Sequence, residues 1–402
     1  MNSQIFCTIF LILFIFVHFL QWFLNHLNRK NILAHGDDSA KPYSLAGLTF
    51  DNWDLLFSAL FTLALLFSGI LPFLDRFLFS HFGDSLHREA LFLIAIAVIS
   101  TLVHMPMQIY STFGIEGKFG FNTLTWGLYW RDTFKSFLIS ILLGIPLLYF
   151  LLFLLQATGK YWWAWTFAAF FLFQIILMVV YPIFIAPWFN RFSPLPDGPL
   201  RNSLLDLAKR LNFPASEIYV MDGSRRSLHS NAYFTGFGKW RRIVFYDTLM
   251  QQLNDEELAG VLAHEIGHYK LKHIYKMMVK QILILGGIFF LASLAIKWSP
   301  LYETFHFELE QASAAIGLYL FFQALAPVST LFSPLQNATS RRYEFEADAF
   351  AKKAIVNVES MKSALQKISE KNLSNKYPHP WYRAFHYSHP SLDERLAALD
   401  QK

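Results

Sequence analysis

The stretch Val261–Tyr269, VLAHEIGHY, sets His264 and His268 four residues apart, with Glu265 directly after the first. On a helix, residues at i and i+4 project from one face. Two imidazoles so placed can hold one Zn2+ from one side. Glu265 is then left beside the metal, where its carboxylate can act on a bound water. The flanking residues call for that helix. Asn254-Asp255-Glu256-Glu257 reads as an N-cap followed by an acidic first turn, with Glu257 at the capping-box position. Leu258, Val261, Leu262 and Ile266 follow at helical spacing and give an apolar stripe. The bland alternative is an amphipathic helix that happens to carry two histidines.

Two histidines leave a hydrolytic zinc site one protein ligand short. His273 lies five residues after His268, which on a continuous helix points off the ligand face, so it reads as an ordinary surface residue. A later stretch, Ser340-Arg341-Arg342-Tyr343-Glu344-Phe345-Glu346-Ala347-Asp348, offers a better donor. Glu344 and Asp348 share a helix face with Arg341, three residues before Glu344. Glu344 is the expected third ligand. Asp348, one turn or about 6 Å further along the axis, is expected behind the site together with Arg341, where metal-bound histidines donate their outer N–H. A charged, solvated helix face would give the same pattern alone; the H-E-x-x-H in the same chain favours ligation.

The elements that must position these residues are mostly membrane helices. The chain has 402 residues, is 54% hydrophobic and only 16% charged, well below the soluble average of about 25%. Seven apolar runs are candidate spans: Ile5–Phe23, Leu55–Phe73, Ala90–Met105, Phe137–Leu155, Trp162–Ile185, Ile282–Ile296 and Ala312–Phe332. The net charge of +5 suits loops at an anionic leaflet better than nucleic-acid binding, so the lipid bilayer is an expected partner and nucleic acid is not. The single cysteine, Cys7, excludes internal disulfides and a thiolate metal site. The first Lys or Arg is Arg29, after the first apolar run, so no cleavable signal peptide is expected.

Basic residues concentrate after span one and in the block around Arg191–Lys272, whereas Ser299–Gln311 is acidic. The positive-inside rule then puts the N-terminus outside and the polar blocks on the cytosolic side, which requires an odd number of spans. The expected organisation is a membrane region over 1–189 with five spans and a soluble block over 190–276 with the H-E-x-x-H helix. A transmembrane hairpin over 277–335 follows, then a C-terminal soluble block over 336–402 that completes the zinc site. Spans six and seven, as antiparallel neighbours, would bring the two donor sets to similar heights on one side. Within the first block, Glu217–Met221, Asn231–Phe237 and Arg242–Tyr246 alternate and read as strands, with Gly236-Phe237-Gly238-Lys239 as a hairpin turn. The fold class is thus a multipass α-helical membrane protein with a zincin-like α+β domain. Asn337-Ala338-Thr339 is a glycosylation sequon by pattern, but lies on the wrong side of the membrane in this topology.

HEIGH, SRRYEFEADAFA, HSNAYF from His229 to Phe234, and YSHP from Tyr387 to Pro390 together resemble the integral-membrane CaaX prenyl endopeptidases, a family of zinc metallopeptidases. Ile115–Asn122 and Tyr181–Pro187 are also similar to stretches of that family. The resemblance covers most of the chain. It implies a seven-helix barrel around a large chamber, one zinc held by residues matching His264, His268 and Glu344, and Glu265 as catalytic base. It also implies that Asn231 and His389 contact the substrate backbone. On the residues alone, Asn231-Ala232-Tyr233 lies on a strand along which an extended peptide could align, although a turn-forming Asn explains Asn231 equally well. His389 could bring a donor to an oxyanion; alone it would more often be a surface residue. The expected function is a zinc endopeptidase acting near the C-terminus of membrane-associated proteins, prenylated ones among the candidate substrates. The chain is shorter than the eukaryotic members, with a compact Ser299–Gln311 loop. That points to a bacterial inner membrane rather than the endoplasmic reticulum. Two other readings stand beside this one: a heat-shock-type quality-control metalloprotease, and a transporter or pore-clearing factor with a structural metal.

Overall fold

The computed structural model describes residues 2–214, 217–235, 242–309 and 312–401. Among them, seven helices are long and apolar enough to cross a membrane: Ser3–His35, Lys41–Phe67, Leu86–Glu116, Trp126–Ala157, Gly159–Phe189, His273–Ala295 and Ala314–Leu331. Lipid leaves backbone polar groups no outside partner, so spanning segments satisfy them as helices. Each expected span falls on one of the seven, but the second is displaced. It ends at Phe67 rather than Phe73, because Gly69 adopts φ +80° and a separate helix, Ile70–Phe82, begins beyond it. Gly populates that left-handed region without the Cβ clash other residues meet.

The first helix has 33 residues, about 50 Å at 1.5 Å per residue, against a hydrocarbon thickness of about 30 Å. It is thus longer than a crossing needs, and in its C-terminal half Leu24 and Ile32 pack with Leu48 of the second helix and with Tyr382 of the C-terminal block. The two stretches Ile115–Asn122 and Tyr181–Pro187 begin on π-helical segments: Tyr110–Glu116, which terminates span three, and Tyr181–Ile185, which lies in the last third of span five ahead of the helical turn Ala186–Phe189. A short fourth strand precedes the three anticipated ones. β1 (Phe192–Pro194), β2 (Ile218–Met221), β3 (Ala232–Thr235) and β4 (Arg242–Tyr246) form one sheet in the order β1-β2-β4-β3. β2 runs parallel to β4, and β3 pairs antiparallel with β4 through Tyr233↔Val244. Among the described residues β3 therefore ends the sheet. The expected turn at Gly236-Phe237-Gly238-Lys239 lies outside the described residues.

The histidine helix, Asp255–Lys270, packs its stripe into the soluble core: Leu258, Leu262 and Ile266 are buried with Leu204, Ile218, Ile243 and Phe245. Its cap forms as the sequence asks. The Asn254 side chain accepts from Glu257 N at 2.9 Å, and Glu257 accepts from Asn254 N at 2.8 Å. The glutamate helix, Ser333–Ala354, starts two residues after span seven ends, and span six starts three residues after the histidine helix ends. Both donor-bearing helices are thus continued into the membrane hairpin.

Candidate metal centre

The histidine and glutamate helices pack closely, and the contact is made possible by Gly267. A Cβ there would stand 3.1 Å from both the Cα and the carbonyl oxygen of Ala347. With a hydrogen in that place, Glu344 and Asp348 come over the two histidines. His264 Nε2 and His268 Nε2 lie 3.1 Å apart, and the Glu344 carboxylate lies 3.4 Å from the first and 3.3 Å from the second. Ligands about 2.0 Å from a tetrahedral ion stand about 3.3 Å from one another. The three donors therefore have the mutual spacing of three corners of a zinc tetrahedron, and the residues fit such an ion. Among the described residues this is the one cluster of His, Cys and carboxylate groups found at metal-binding distances.

The electrostatics of the pocket favour positive charge at its centre. Burial opposes a charged His264, but hydrogen bonds to Asp348 and Glu344 outweigh it and raise the pKa to about 9. Burial would raise Glu344, yet its hydrogen bonds to His264 and His268 hold the carboxyl well below the usual range. Glu265 moves the other way: burial pushes its carboxyl up, against the pull of His264 and His268. It lies on the wall of a cavity of about 370 Å3 shared with His264, His268, Glu344, His389, Asn231 and Ala232.

Asp348 sits at the outer nitrogen of His264, with Oδ1 2.8 Å from Nδ1. It is held there by Arg395, whose Nε and Nη2 donate to its two oxygens at 2.8 and 2.6 Å. Sequence reasoning missed Arg395. The capping box Ser391–Glu394 announces the helix Leu392–Asp400, but nothing local says that Arg395 faces Asp348. Arg341, expected in that place, is elsewhere. Its Nη1 donates to the carbonyls of Arg383 and Tyr387 at 3.3 and 2.7 Å. One turn toward the membrane from Glu344, it meets the C-terminal end of the helix Pro380–His386, where unsatisfied carbonyls attract a cation. It thereby anchors the segment leading to His389, whose Nε2 stands 3.6 Å from Glu344 with the side chain 67% exposed.

His273 is not a surface residue. It is 2% exposed and its Nδ1 lies 3.0 Å from His268 Nδ1. The reason is a break in helix phase: Lys272 takes φ +58°, ending one helix and starting the next in a new direction. Of the expected substrate strand, Ala232 and the exposed Asn231 line the cavity, while the Asn231 carbonyl accepts from Tyr246 N at 3.1 Å. The Tyr233 ring is not brought to the site; alternation along β3 turns it toward Tyr246 and Met221. A second cavity of about 750 Å3 shares His389 and Arg395 with the first and runs on to Asn28, Tyr43 and Glu116 of the membrane region.

Residues 38–191 match the family described as CAAX prenyl protease N-terminal, five membrane helices, and residues 194–402 match peptidase family M48. The chain belongs to peptidase family M48. As a member it is a membrane-embedded metalloendopeptidase with a metal cofactor. Its relatives include CAAX prenyl protease 1 of Saccharomyces cerevisiae (39% identical, covering 89% of this chain and 81% of that one). The human CAAX prenyl protease 1 homolog is 34% identical over 90% of this chain and 85% of its own. The M48 architecture is shared throughout with the crystal structure of S. mikatae Ste24p, at a TM-score of 0.89 and 33% identity over 99% of both chains.

Proposed function

We propose that this M48 enzyme is a zinc-dependent endopeptidase that hydrolyses peptide bonds near the C-terminus of membrane-associated proteins, prenylated CAAX-type proteins among them. The observation that carries the reading is the triangle of His264, His268 and Glu344 donors at tetrahedral spacing, with Glu265 beside it on the cavity wall. When bound there, zinc supplies Lewis acidity and brings the pKa of a water toward about 7. Glu265 takes the proton of the attacking water and later passes it to the leaving amine. His389, at the mouth of the cavity, donates to the oxyanion that develops on the scissile carbonyl. Asn231 and Ala232, at the start of the sheet's last strand, align an extended substrate by backbone hydrogen bonding. Asp348 orients His264. Open space beside the donor triangle supports hydrolysis over a structural metal, which would be closed by a fourth protein ligand.

The cavity leading toward the membrane helices supports a substrate that arrives from the bilayer, and the names of the relatives support a prenylated one. The distribution of basic residues supports a cytosolic catalytic side. The compact Ser299–Gln311 loop supports a bacterial inner membrane; the plant, fungal and human origin of relatives supports the endoplasmic reticulum. The purified enzyme should cleave a farnesylated peptide faster than its unmodified twin, and Glu265→Gln, with its zinc intact, should cleave neither. Equal rates on the two peptides would remove the prenyl preference. Substantial turnover by Glu265→Gln would remove Glu265 from the mechanism.

A further inference from the structure

We infer that His273 and Glu346 are positioning residues for the metal: together they fix the tautomer and ring orientation of His268, as Asp348 does for His264. The inference rests on the zinc reading of the site. A histidine ligand presents one ring nitrogen to the ion as a lone pair, so its proton must sit on the other nitrogen and find an acceptor. For His264 that acceptor is a carboxylate in direct contact, Asp348 at 2.8 Å. His268 points Nε2 at the donor triangle, so its Nδ1 carries the hydrogen. The group facing that Nδ1 is not a carboxylate but His273 Nδ1, at 3.0 Å.

Two imidazole nitrogens at that distance form a hydrogen bond only if one carries a proton and the other does not. With the proton on His268 Nδ1, His273 accepts at Nδ1 and must carry its own proton on Nε2. That nitrogen has an acceptor in place: Glu346 Oε2 at 3.1 Å. The chain of donors therefore has one consistent polarity, from the lone pair of His268 Nε2 through His273 to a carboxylate. Every ring nitrogen in it is matched.

Packing makes the arrangement stiff. The His273 ring is stacked on Tyr343, with centroids 4.3 Å apart and planes 13° apart, and the residue is 2% exposed. Glu346 is itself held by Arg342 Nε at 2.8 Å, with Lys276 Nζ 3.6 Å away. Tyr343 and Glu346 flank Glu344 on the same helix. One helix thus supplies the third ligand, the support of His264 and the support of His268. The phase break at Lys272 has a functional reading as well: it turns His273 back beneath His268, where a continuous helix would have carried it away.

Loss of an orienting partner of this kind costs about 10–100-fold in metal affinity. The test is zinc affinity of the purified full-length protein, measured by competition with a chelating dye, with Co2+ substitution as a spectroscopic readout of donor geometry. His273→Leu should weaken zinc binding about 10–100-fold and change the Co2+ visible bands. His273→Asn places an amide oxygen near the position of the lost Nδ1 and should recover most of the affinity, which a purely space-filling role would not do. Glu346→Gln should fall between wild type and His273→Leu. Equal zinc affinity in wild type and folded His273→Leu would overturn the inference, as would failure of Asn to do better than Leu. If His273→Leu does not fold, an unchanged affinity in Glu346→Ala overturns it instead. His264→Ala is the arm for the parent reading. Wild type that binds zinc no better than His264→Ala means the centre itself is misassigned, whatever the His273 variants do.

Discussion

Asp348→Asn is the perturbation whose consequence the geometry sets most sharply. Asp348 is 1% exposed and serves two donors at once, the Nδ1 proton of His264 and the paired N–H groups of Arg395. Arg395 Nη2 also stands 3.3 Å from His264 Nδ1. With the carboxylate neutralised, the guanidinium becomes the strongest hydrogen-bonding group facing that nitrogen. Arg395 then favours the tautomer in which Nδ1 accepts and Nε2 carries the proton, the wrong arrangement for binding a cation at Nε2. The loss should lie toward the upper end of the range for orienting residues, about 100-fold in zinc affinity, or about 2.7 kcal/mol. A buried charge is also left without its partner, which costs roughly 3–5 kcal/mol of stability. Adding Arg395→Leu removes both effects of the stranded guanidinium. The double variant should therefore bind zinc about tenfold better than Asp348→Asn alone and unfold at a higher temperature, a coupling of the kind double-mutant cycles measure. Chelator competition and thermal unfolding in detergent, with and without zinc, read the two quantities separately. A double variant no better than the single in either assay would refute the tautomer argument. So would Asp348→Asn with wild-type zinc affinity.

Three further outcomes follow from the same geometry. Glu344→Ala should leave the purified protein with little zinc by metal analysis, since two imidazoles remain of three donors; full retention would mean another third ligand. Arg341→Ala should lower turnover by roughly 3–30-fold while leaving zinc content unchanged, because it frees the segment that carries His389 without touching the donors; loss of metal would contradict this placement. With Cys7 replaced, a cysteine at Glu308 should react with an impermeant thiol reagent in intact cells and one at Lys353 should not; the reverse pattern would invert the topology.

The parts of the site that the sequence disclosed are those written in local chemistry. A capping box, an acidic first turn and a helical stripe define the histidine helix within sixteen residues, and the H-E-x-x-H pattern needs only that helix to have meaning. Glu344 and Asp348 could be placed because both sit on one face of one helix. The span count followed from hydropathy, but the end of span two did not, since apolar residues continue through Gly69 and only the backbone turns there. The misses share a cause in tertiary geometry. His273 escapes a reading by helix spacing because the helix register restarts at Lys272, and a lysine in the left-handed region leaves no mark that a glycine would. Arg341 does lie on the expected helix, but its long side chain reaches the carbonyls of Arg383 and Tyr387 rather than Asp348. Arg395 comes from a helix whose approach to Asp348 no spacing encodes. β1 is three residues long and ends in Pro194, so neither length nor composition marks it as a strand.

The membrane hairpin accounts for why so dispersed a ligand set can be held at tenths of an ångström. A metal site tolerates donor distances within about 0.2 Å, and a long flexible connection between His268 and Glu344 would have to be ordered anew each time the site formed. Here the connection is built of spans six and seven, each running nearly directly into the helix that bears the donors. What remains to be set is how closely those two helices approach, and Gly267 sets it. Lying between Glu265 and His268 in sequence, it faces the backbone of Ala347, which lies between Glu344 and Asp348. The contact that Gly267 permits is therefore flanked on both helices by the groups that need it. Packing density and donor spacing become one constraint, because any methyl group added at that contact must widen the gap across which Glu344 reaches His264 and His268. The histidine helix meets the C-terminal block a second time at Gly260, where a Cβ would stand 3.2 Å from Met361, and again through Glu257, which accepts from Ser363 and Lys367. The site is thus clamped along the whole length of the helix that starts it, from the cap at Asn254 to the turn at Lys272. That is the rigidity a hydrolytic centre requires if water and substrate are to be the only movable groups in it.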